Sequence, residues 1–319
     1  MKKSPIAALG ALVIATSLAL GGCSAATSSS YKVAITQIVS HPSLDASREG
    51  FKQALKDAGL EVSYDEQNAQ GDQGTATSIA AKFASDKPDL VLAIATPTAQ
   101  ATAQAITDIP ILFTAVTDPV AAKLVETNDA PGGNVTGTTD MNPVAEQIAL
   151  IKQLKPEAKS VGIVYSSGEI NSEVQVVLAR TAAEQQGLSV VEKTVTNSSE
   201  VQQAANALDT DAIYVPTDNI VVSGLDAVLQ VAESKKIPVV VGEADSVKKG
   251  GLITYGIDYN KLGYQTGQMA VRILKDGAKP ATMPVERQAD YRLVINTQAA
   301  ERMGITVPQA LLDKADEKV

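Results

Sequence analysis

Short apolar runs rich in β-branched residues alternate with amphipathic stretches of helical period from Lys32 onward. Pro42 opens one such stretch, in which Leu44, Phe51 and Leu55 share a helical face. Strands alternating with helices are typical of a parallel sheet covered by helices, so the pattern predicts an α/β fold. In the first half of the chain the predicted buried strands are 32–39, 89–94 and 111–116.

The same order of elements recurs in the second half of the chain, after a turn at 131–134. A strand over 161–165 is followed by a helix that begins near Asn171 and ends at Gly187. Three landmarks of the first half return after 128, 122 and 128 residues. They are Gly59-Leu60 with Gly187-Leu188, Asp89 with Asp211, and Ile109-Pro110 with Ile237-Pro238. Agreement in order and element type predicts two similar Rossmann-like lobes.

The segment after residue 251 is too short for a third lobe, and we expect it to cross between the first two. The carboxyl ends of the two parallel sheets then face a common cleft, where such sheets bind ligands. Hinged closure of the lobes follows from this layout. The predicted divisions are 32–139 with 257–282 for lobe 1 and 140–256 with 283–319 for lobe 2.

The first 22 residues predict an export signal. Lys2 and Lys3 precede an apolar stretch, 6–20, that is too short to span a bilayer, and two glycines follow. The string Leu20-Gly21-Gly22-Cys23 resembles the bacterial lipobox, which implies a lipidated Cys23 and a tether over 23–31. An ordinary secretory signal with an incidental cysteine is the alternative. The predicted location is extracytoplasmic, anchored to the cell membrane.

Composition excludes several classes of function. Hydrophobic residues make up 45% of the 319 residues and charged residues 20%, which is typical of a globular protein. A net charge of -9 argues against a nucleic-acid partner. One cysteine and one histidine exclude a metal site built from several of either residue, and we expect no cofactor. His41 lacks a recognisable nucleophile motif, so we predict a protein that is not an enzyme.

Polar residues follow the predicted strand ends and are the candidate ligand-binding groups. Each of them also suits ordinary helix capping or loop chemistry. They are Gln37, Thr96, Thr117 and Asp118 in lobe 1, Glu169, Asn171, Ser172, Thr217, Asp218, Asn219 and Glu243 in lobe 2, and Asp258 in the crossing segment.

Some of these residues suggest how the carboxylate and the ammonium of a zwitterionic ligand are bound. Asn171 and Ser172 precede a long helix, whose free N–H groups suit a carboxylate. An ammonium needs an ionised acceptor, and Asp218 is the preferred candidate, whereas Asp118 is as well suited to shaping a turn.

Several short strings carry a family resemblance through their order and spacing. They are Thr36-Gln37-Ile38-Val39, His41-Pro42, Leu44-Asp45, 113–119, 131–137, Gly168-Glu169, Asn171-Ser172, Pro216-Thr217-Asp218-Asn219 and Gly256-Ile257-Asp258-Tyr259. Together they resemble the substrate-binding proteins of ABC transporters with the type I periplasmic fold, in the group of tryptophan- and tyrosine-binding lipoproteins. The resemblance implies a monomer that takes up a small solute, most often an aromatic amino acid, for a permease and its ATPase.

The residues leave the ligand open. Sugar binders of this fold commonly place arginine and aromatic residues at the strand ends, and none of the candidate residues here is of either kind, which favours an amino acid. An aliphatic amino acid or a small sugar remains an alternative ligand. A ligand sensor of the same fold, presenting its closed form to a receptor, is the alternative function.

Overall fold

The computed structural model describes residues 30–319, so the predicted signal segment and Cys23 lie outside the described residues. Strands and helices alternate along most of this part of the chain, as the hydropathy pattern predicts. The strands are β1 (Tyr31–Gln37), β2 (Val62–Asn68), β3 (Leu90–Ile94), β4 (Ile111–Val116), β5 (Val135–Thr139), β6 (Ser160–Ser166), β7 (Ser189–Val195), β8 (Ile213–Val215), β9 (Val239–Val241), β10 (Ile253–Gly256), β11 (Glu286–Arg287), β12 (Arg292–Ile295) and β13 (Glu317–Lys318). The helices are α1 (Pro42–Asp57), α2 (Gln73–Asp86), α3 (Thr96–Ala105), α4 (Val144–Leu154), α5 (Ile170–Gln185), α6 (Val201–Asn206), α7 (Asn219–Ser223), α8 (Leu225–Lys235), α9 (Ala244–Lys249), α10 (Tyr259–Asp276), α11 (Thr297–Arg302) and α12 (Gln309–Lys314).

The strands form two sheets, one in each lobe. The sheet of lobe 1 has the order β11-β5-β4-β3-β1-β2, and its paired strands are parallel. The sheet of lobe 2 has the order β13-β12-β10-β9-β8-β6-β7, with an antiparallel pair between β10 and β12. Two α/β lobes with mostly parallel sheets confirm the predicted fold class.

The central strands of each sheet are buried on both faces, which explains why their residues form continuous apolar runs. All five residues of β3 and all six of β4 are buried. One apolar core surrounds the sheet of lobe 1 and includes residues of α10, whereas a separate core surrounds the sheet of lobe 2 and includes residues of α4. The lobes therefore fold around independent cores.

Helices α1 and α10 of lobe 1 are in backbone contact where glycines face the neighbouring helix. A Cβ atom on Gly263 would overlap the carbonyl oxygen of Ser47, and one on Gly50 would overlap the carbonyl oxygen of Asn260. Gly267 likewise faces the backbone of Phe51. Only the absence of a side chain permits this separation, so the glycines fix how the two helices sit against each other.

Within residues 30–319 the chain passes between the lobes three times, at 140–143, 257–258 and 288–291. The predicted boundary at residue 282 is wrong, because β11 pairs with β5 in the sheet of lobe 1. Met283 is buried in the core of lobe 1, and its carbonyl oxygen accepts a hydrogen bond from Thr136 Oγ1 at 2.7 Å. Lobe 1 therefore extends to residue 287. No helix in this part of the chain is both long and apolar enough to cross a bilayer.

Candidate binding site

A small cavity lies between the lobes, beside the first and second crossing segments. The space between its wall atoms amounts to about 310 Å³, including solvent at its opening. Both lobes and the crossing segments contribute to its wall, and none of the lining residues is Lys or Arg. The lining residues are His41, Leu44, Ala115, Thr117, Asp140, Asn171, Thr217, Asp218, Asn219, Val222, Glu243 and Tyr259.

Asp140 places a carboxylate at the hinge side of this cavity. It follows β5 directly, and only 4% of its surface is exposed. Its Oδ2 accepts a hydrogen bond from the Tyr259 hydroxyl at 2.7 Å, and its Oδ1 accepts one from Thr117 Oγ1 at 3.1 Å. Burial raises the pKa of Asp140. Both partners are neutral, so the carboxylate has no opposing positive charge in the cavity wall, and a cationic group would stabilise its ionised form.

Asp218 presents a second carboxylate, but its oxygens are engaged by the protein. It is the N-cap of α7, where Oδ1 accepts from the Val221 N–H at 2.7 Å. Its Oδ2 accepts from the Ser166 N–H and from Ser172 Oγ, both at 2.6 Å. Burial raises the pKa of Asp218 as well. These bonds tie α7 to β6 and α5, which is a structural role.

Glu169 lies behind the wall of lobe 2 and holds two amides that face the cavity. Its Oε2 accepts from Asn219 Nδ2 at 2.7 Å and from Asn171 Nδ2 at 2.9 Å. Burial and the neighbouring Asp218 carboxylate raise the pKa of Glu169. Because the amide nitrogen of Asn171 is held in this way, its oxygen is presented as an acceptor. This buried Asn171 Oδ1 has no hydrogen-bond partner within the protein.

Two long helices begin at the cavity without a side-chain cap. Their N-cap residues are His41 for α1 and Glu169 for α5, and neither side chain accepts a hydrogen bond from a backbone N–H group of its own helix. The first N–H groups of a helix have no acceptor within the helix, and the helix dipole makes that end positive. The sites where α1 and α5 begin can therefore receive an anionic group in a cavity whose side chains are otherwise acidic or neutral.

The starts of α1 and α7 each bring one polar and one apolar residue to the cavity wall. His41 and Leu44 are three residues apart at the start of α1, and Asn219 and Val222 have the same spacing at the start of α7, so each pair shares a helical face. Desolvation lowers the pKa of His41 to about 4, although the Asn219 side chain beside it acts in the opposite direction. The imidazole is therefore neutral at physiological pH. Its Nδ1 is buried without a hydrogen-bond partner in the protein.

Hydrogen bonds between the lobes hold the cavity closed. Ser43 Oγ of lobe 1 donates to Glu243 Oε2 of lobe 2 at 2.6 Å, and both residues are buried. Glu243 is also the N-cap of α9, where it accepts from the Asp245 and Ser246 N–H groups. At the mouth of the cleft, Gln73 Nε2 donates to the carbonyl oxygen of Gly168 at 3.0 Å.

The structure brings half of the twelve residues proposed from the sequence together around the cavity. These six are Thr117, Asn171, Thr217, Asp218, Asn219 and Glu243. Of the others, Glu169 and Ser172 stand behind the wall and hold it in place. Asp118 and Asp258 cap a turn and α10 respectively, bonding to the N–H groups of Ala121 and Lys261.

The remaining two, Gln37 and Thr96, do not line the cavity. Gln37 Nε2 donates to Asp45 Oδ1 at 2.8 Å, and its Oε1 accepts from Arg48, so it organises the start of α1. Thr96 is buried as the first residue of α3, and its hydroxyl has no partner in the protein.

Sequence reasoning omitted six residues of the cavity wall. Asp140 is a polar residue directly after a strand, as the predicted site residues are, but it was missed because β5 was not predicted. Tyr259 begins α10 directly after a crossing. His41 was considered only as a catalytic group. The sequence does not distinguish the apolar residues of the cavity wall from those of the hydrophobic core. The omitted residues are His41, Leu44, Ala115, Asp140, Val222 and Tyr259.

Two α/β lobes that close over a cavity beside their chain crossings define a two-lobed solute-binding protein of the type I periplasmic fold. Within that class, the chain belongs to the family of ABC transporter substrate binding proteins, whose sequence profile matches residues 32–319. This confirms the family resemblance seen in the sequence. Proteins of this family act outside the cytoplasm.

Named relatives support this membership. The chain is 45% identical over 270 residues to a tyrosine-binding protein of Clostridioides difficile, covering 83% of this chain and 78% of the relative. It is 39% identical to a Streptococcus pneumonia domain solved in complex with L-Trp, with a TM-score of 0.88 over 91% of this chain and all of the other. A ligand-free, open substrate binding protein with adhesive properties from Clostridium difficile is 45% identical.

The comparison with these two structures also describes the state of the lobes. The open structure gives a TM-score of only 0.69 over 91% of this chain and 99% of the other, although its sequence is more similar than that of the complex. A change in the angle between two lobes lowers the TM-score without changing either lobe. Together with the hydrogen bonds between the lobes, this identifies the present arrangement as closed.

Proposed function

We propose that this protein binds an aromatic L-amino acid, tryptophan or tyrosine, between its lobes and delivers it to a membrane permease. The observation that carries the proposal is the buried Asp140 carboxylate, which faces the cavity with only neutral partners. An α-ammonium group supplies the missing charge, and a charge-assisted hydrogen bond is about twice as strong as a neutral one. The unpartnered Asn171 Oδ1 offers a further acceptor for the same group.

The other charge of an amino acid also finds a place in this cavity. A carboxylate cannot pair with Lys or Arg, since neither lines the wall. The uncapped starts of α1 and α5 provide backbone N–H groups and the positive ends of two helix dipoles. A zwitterion therefore fits the cavity better than a simple cation or a sugar.

An aromatic side chain is supported by the remaining wall and by the relatives. Leu44, Ala115 and Val222 supply apolar surface in the cavity wall. One relative is named for tyrosine binding, and one similar structure contains L-Trp. These two observations favour an aromatic ligand over an aliphatic amino acid, which the charged groups alone would accept equally well.

The chain contains no tryptophan, so indole emission in a binding experiment comes from the ligand alone. L-tryptophan titrated with the protein and excited near the red edge of indole absorption should give a blue-shifted emission that saturates. L-tyrosine should displace this signal. Failure of both amino acids to bind at millimolar concentration, equivalent to about -4 kcal/mol, would refute the proposal.

Family membership also supports a location and partners. We infer a monomer that is tethered to the outside of the cell membrane through a lipidated Cys23 and serves a permease driven by an ATPase. Two acyl chains provide stable anchoring, at about 0.8 kcal/mol for each buried methylene. Palmitate labelling in the native host should be lost in Cys23→Ser, and equal labelling of both proteins would exclude lipidation at this site.

A further inference from the structure

The His41 imidazole is a polar group that the binding of an amino acid backbone leaves unused. It lines the same cavity as Leu44 and Val222, whereas the polar groups of Asp140 and Tyr259 bond to each other beside the chain crossings. Its Nδ1 is buried and unpartnered. A buried polar atom without a partner costs free energy, so a partner supplied by the ligand would be favourable.

The surroundings of the ring indicate what kind of partner it needs. His41 is neutral, because burial lowers its pKa to about 4, and a neutral imidazole has one N–H donor and one acceptor nitrogen. The Asn219 amide nitrogen is bound to Glu169 at 2.7 Å, which leaves the amide oxygen to accept the ring N–H. Nδ1 is then the acceptor, and its natural partner is a donor on the ligand.

We propose that His41 is a specificity-determining residue that accepts a hydrogen bond from the ring of the ligand, the indole N–H of tryptophan or the phenol O–H of tyrosine. This inference rests on the proposed function, since it assumes an aromatic amino acid in the cavity. Phenylalanine has no ring donor and would leave Nδ1 buried and unpaired. The site therefore distinguishes aromatic amino acids by the presence of a ring donor as well as by size.

The test compares the affinities of L-tryptophan, L-tyrosine, L-phenylalanine and 4-fluoro-L-phenylalanine by calorimetry. The fluorinated ligand approximates the length of tyrosine without offering a donor. The wild-type protein should bind both ligands that lack a donor about 10-fold or more weakly than tyrosine. His41→Leu should bring these affinities to within about 3-fold, mainly by weakening tyrosine and tryptophan, and His41→Gln, which retains an acceptor, should restore part of the preference.

The single histidine of the chain provides a second readout that does not depend on a variant. Nitrogen NMR of untagged protein shows one imidazole, so its Nδ1 resonance can be followed directly. We expect tyrosine and tryptophan to shift this resonance in the direction of an accepted hydrogen bond, and phenylalanine to leave it close to its ligand-free position.

The outcomes separate this inference from the proposed function. Equal binding of phenylalanine and tyrosine by the wild-type protein would overturn the role of His41 and leave the aromatic ligand intact. An equal loss for all four ligands in His41→Leu, in a variant that melts like the wild type, would also overturn it, because His41 would then act on the part that the ligands share. Binding of none of the four would overturn the proposed function and this inference together.

Discussion

The Tyr259 hydroxyl donates a hydrogen bond to Asp140 Oδ2 at 2.7 Å and so joins the first crossing segment to the residue that directly follows the second. Tyr291 in the third segment donates to the Met141 carbonyl oxygen at 3.2 Å, and Gln288 bonds to the backbone of Asp258. The crossings thus form one connected hinge. Because Asp140 also lines the cavity, a ligand that binds to it acts directly on this hinge.

Asp140→Asn should weaken binding of the amino acid, although the shape of the cavity should stay the same because the two side chains have nearly the same size. Removing one partner of a buried charge pair costs about 2–5 kcal/mol, so calorimetry should show a loss of that size. Asp118→Asn is the matched control, because Asp118 caps a turn outside the cavity. A loss in Asp140→Asn no larger than in the control would contradict the assignment of the ammonium to Asp140.

Asp218→Ala should act first on stability. The substitution removes the cap of α7 and leaves the buried Ser166 N–H without its acceptor, which together cost about 2–4 kcal/mol. Urea denaturation of the ligand-free protein measures this loss. If binding fell and the free energy of unfolding were unchanged, Asp218 would be a ligand group, as the sequence had suggested.

Ser43→Ala should weaken ligand binding without destabilising the lobes. The bond from Ser43 to Glu243 joins the two lobes, so only the closed state loses it, by about 1 kcal/mol. Calorimetry should show a modest loss of affinity, and small-angle scattering at half-saturation should show more of the open form. Gln73→Ala removes the exposed bond at the cleft mouth and should have a smaller effect. Equal effects of the two variants would argue against the buried bond from Ser43 to Glu243 as the main contact that holds the lobes closed.

The low pKa of His41 predicts a dependence of stability on pH. The unfolded chain binds a proton at this residue as the pH falls through 6.5, whereas the folded protein does so only near 4, so the free energy of unfolding decreases across this window. The contribution reaches about 3 kcal/mol at the acid end. Asp45 and Asp245 oppose the shift and Lys249 assists it, and these charges stay in place in His41→Gln. Denaturation of both proteins from pH 7 to 4 should show the steeper loss in the wild type, and parallel curves would contradict the shift.

The fold was predictable because each lobe repeats a pattern that hydropathy alone defines. Strands such as Ile111–Val116 are buried on both faces and read as apolar runs, and helices such as Pro42–Asp57 begin at proline and end near glycine. The boundary at residue 282 failed because β11 is only two residues long, too short for a periodic signal. Its place in lobe 1 depends on pairing with a strand that lies 148 residues earlier, where Glu286 pairs with Thr138.

The site was less predictable than the fold, for a reason that Asp140 and Asp218 illustrate. Both are acidic residues that follow strands, and the sequence cannot show how many protein donors each one meets. Asp218 meets three, from β6, α5 and its own helix, whereas Asp140 meets two neutral hydroxyls. The difference arises from tertiary contacts between distant segments. His41 presents the same difficulty, since the environment that makes it neutral is assembled by both lobes.

The glycine contact between α1 and α10 has a consequence for engineering. His41 begins one of these helices and Tyr259 begins the other, so main-chain atoms at Gly50 and Gly263 set the separation of two groups that face the ligand. Side chains at the cavity can then be substituted while the separation of α1 and α10 stays the same. The protein is therefore a suitable framework for biosensors. Single substitutions in the cavity would change which compound is bound, and closure of the lobes would remain the signal.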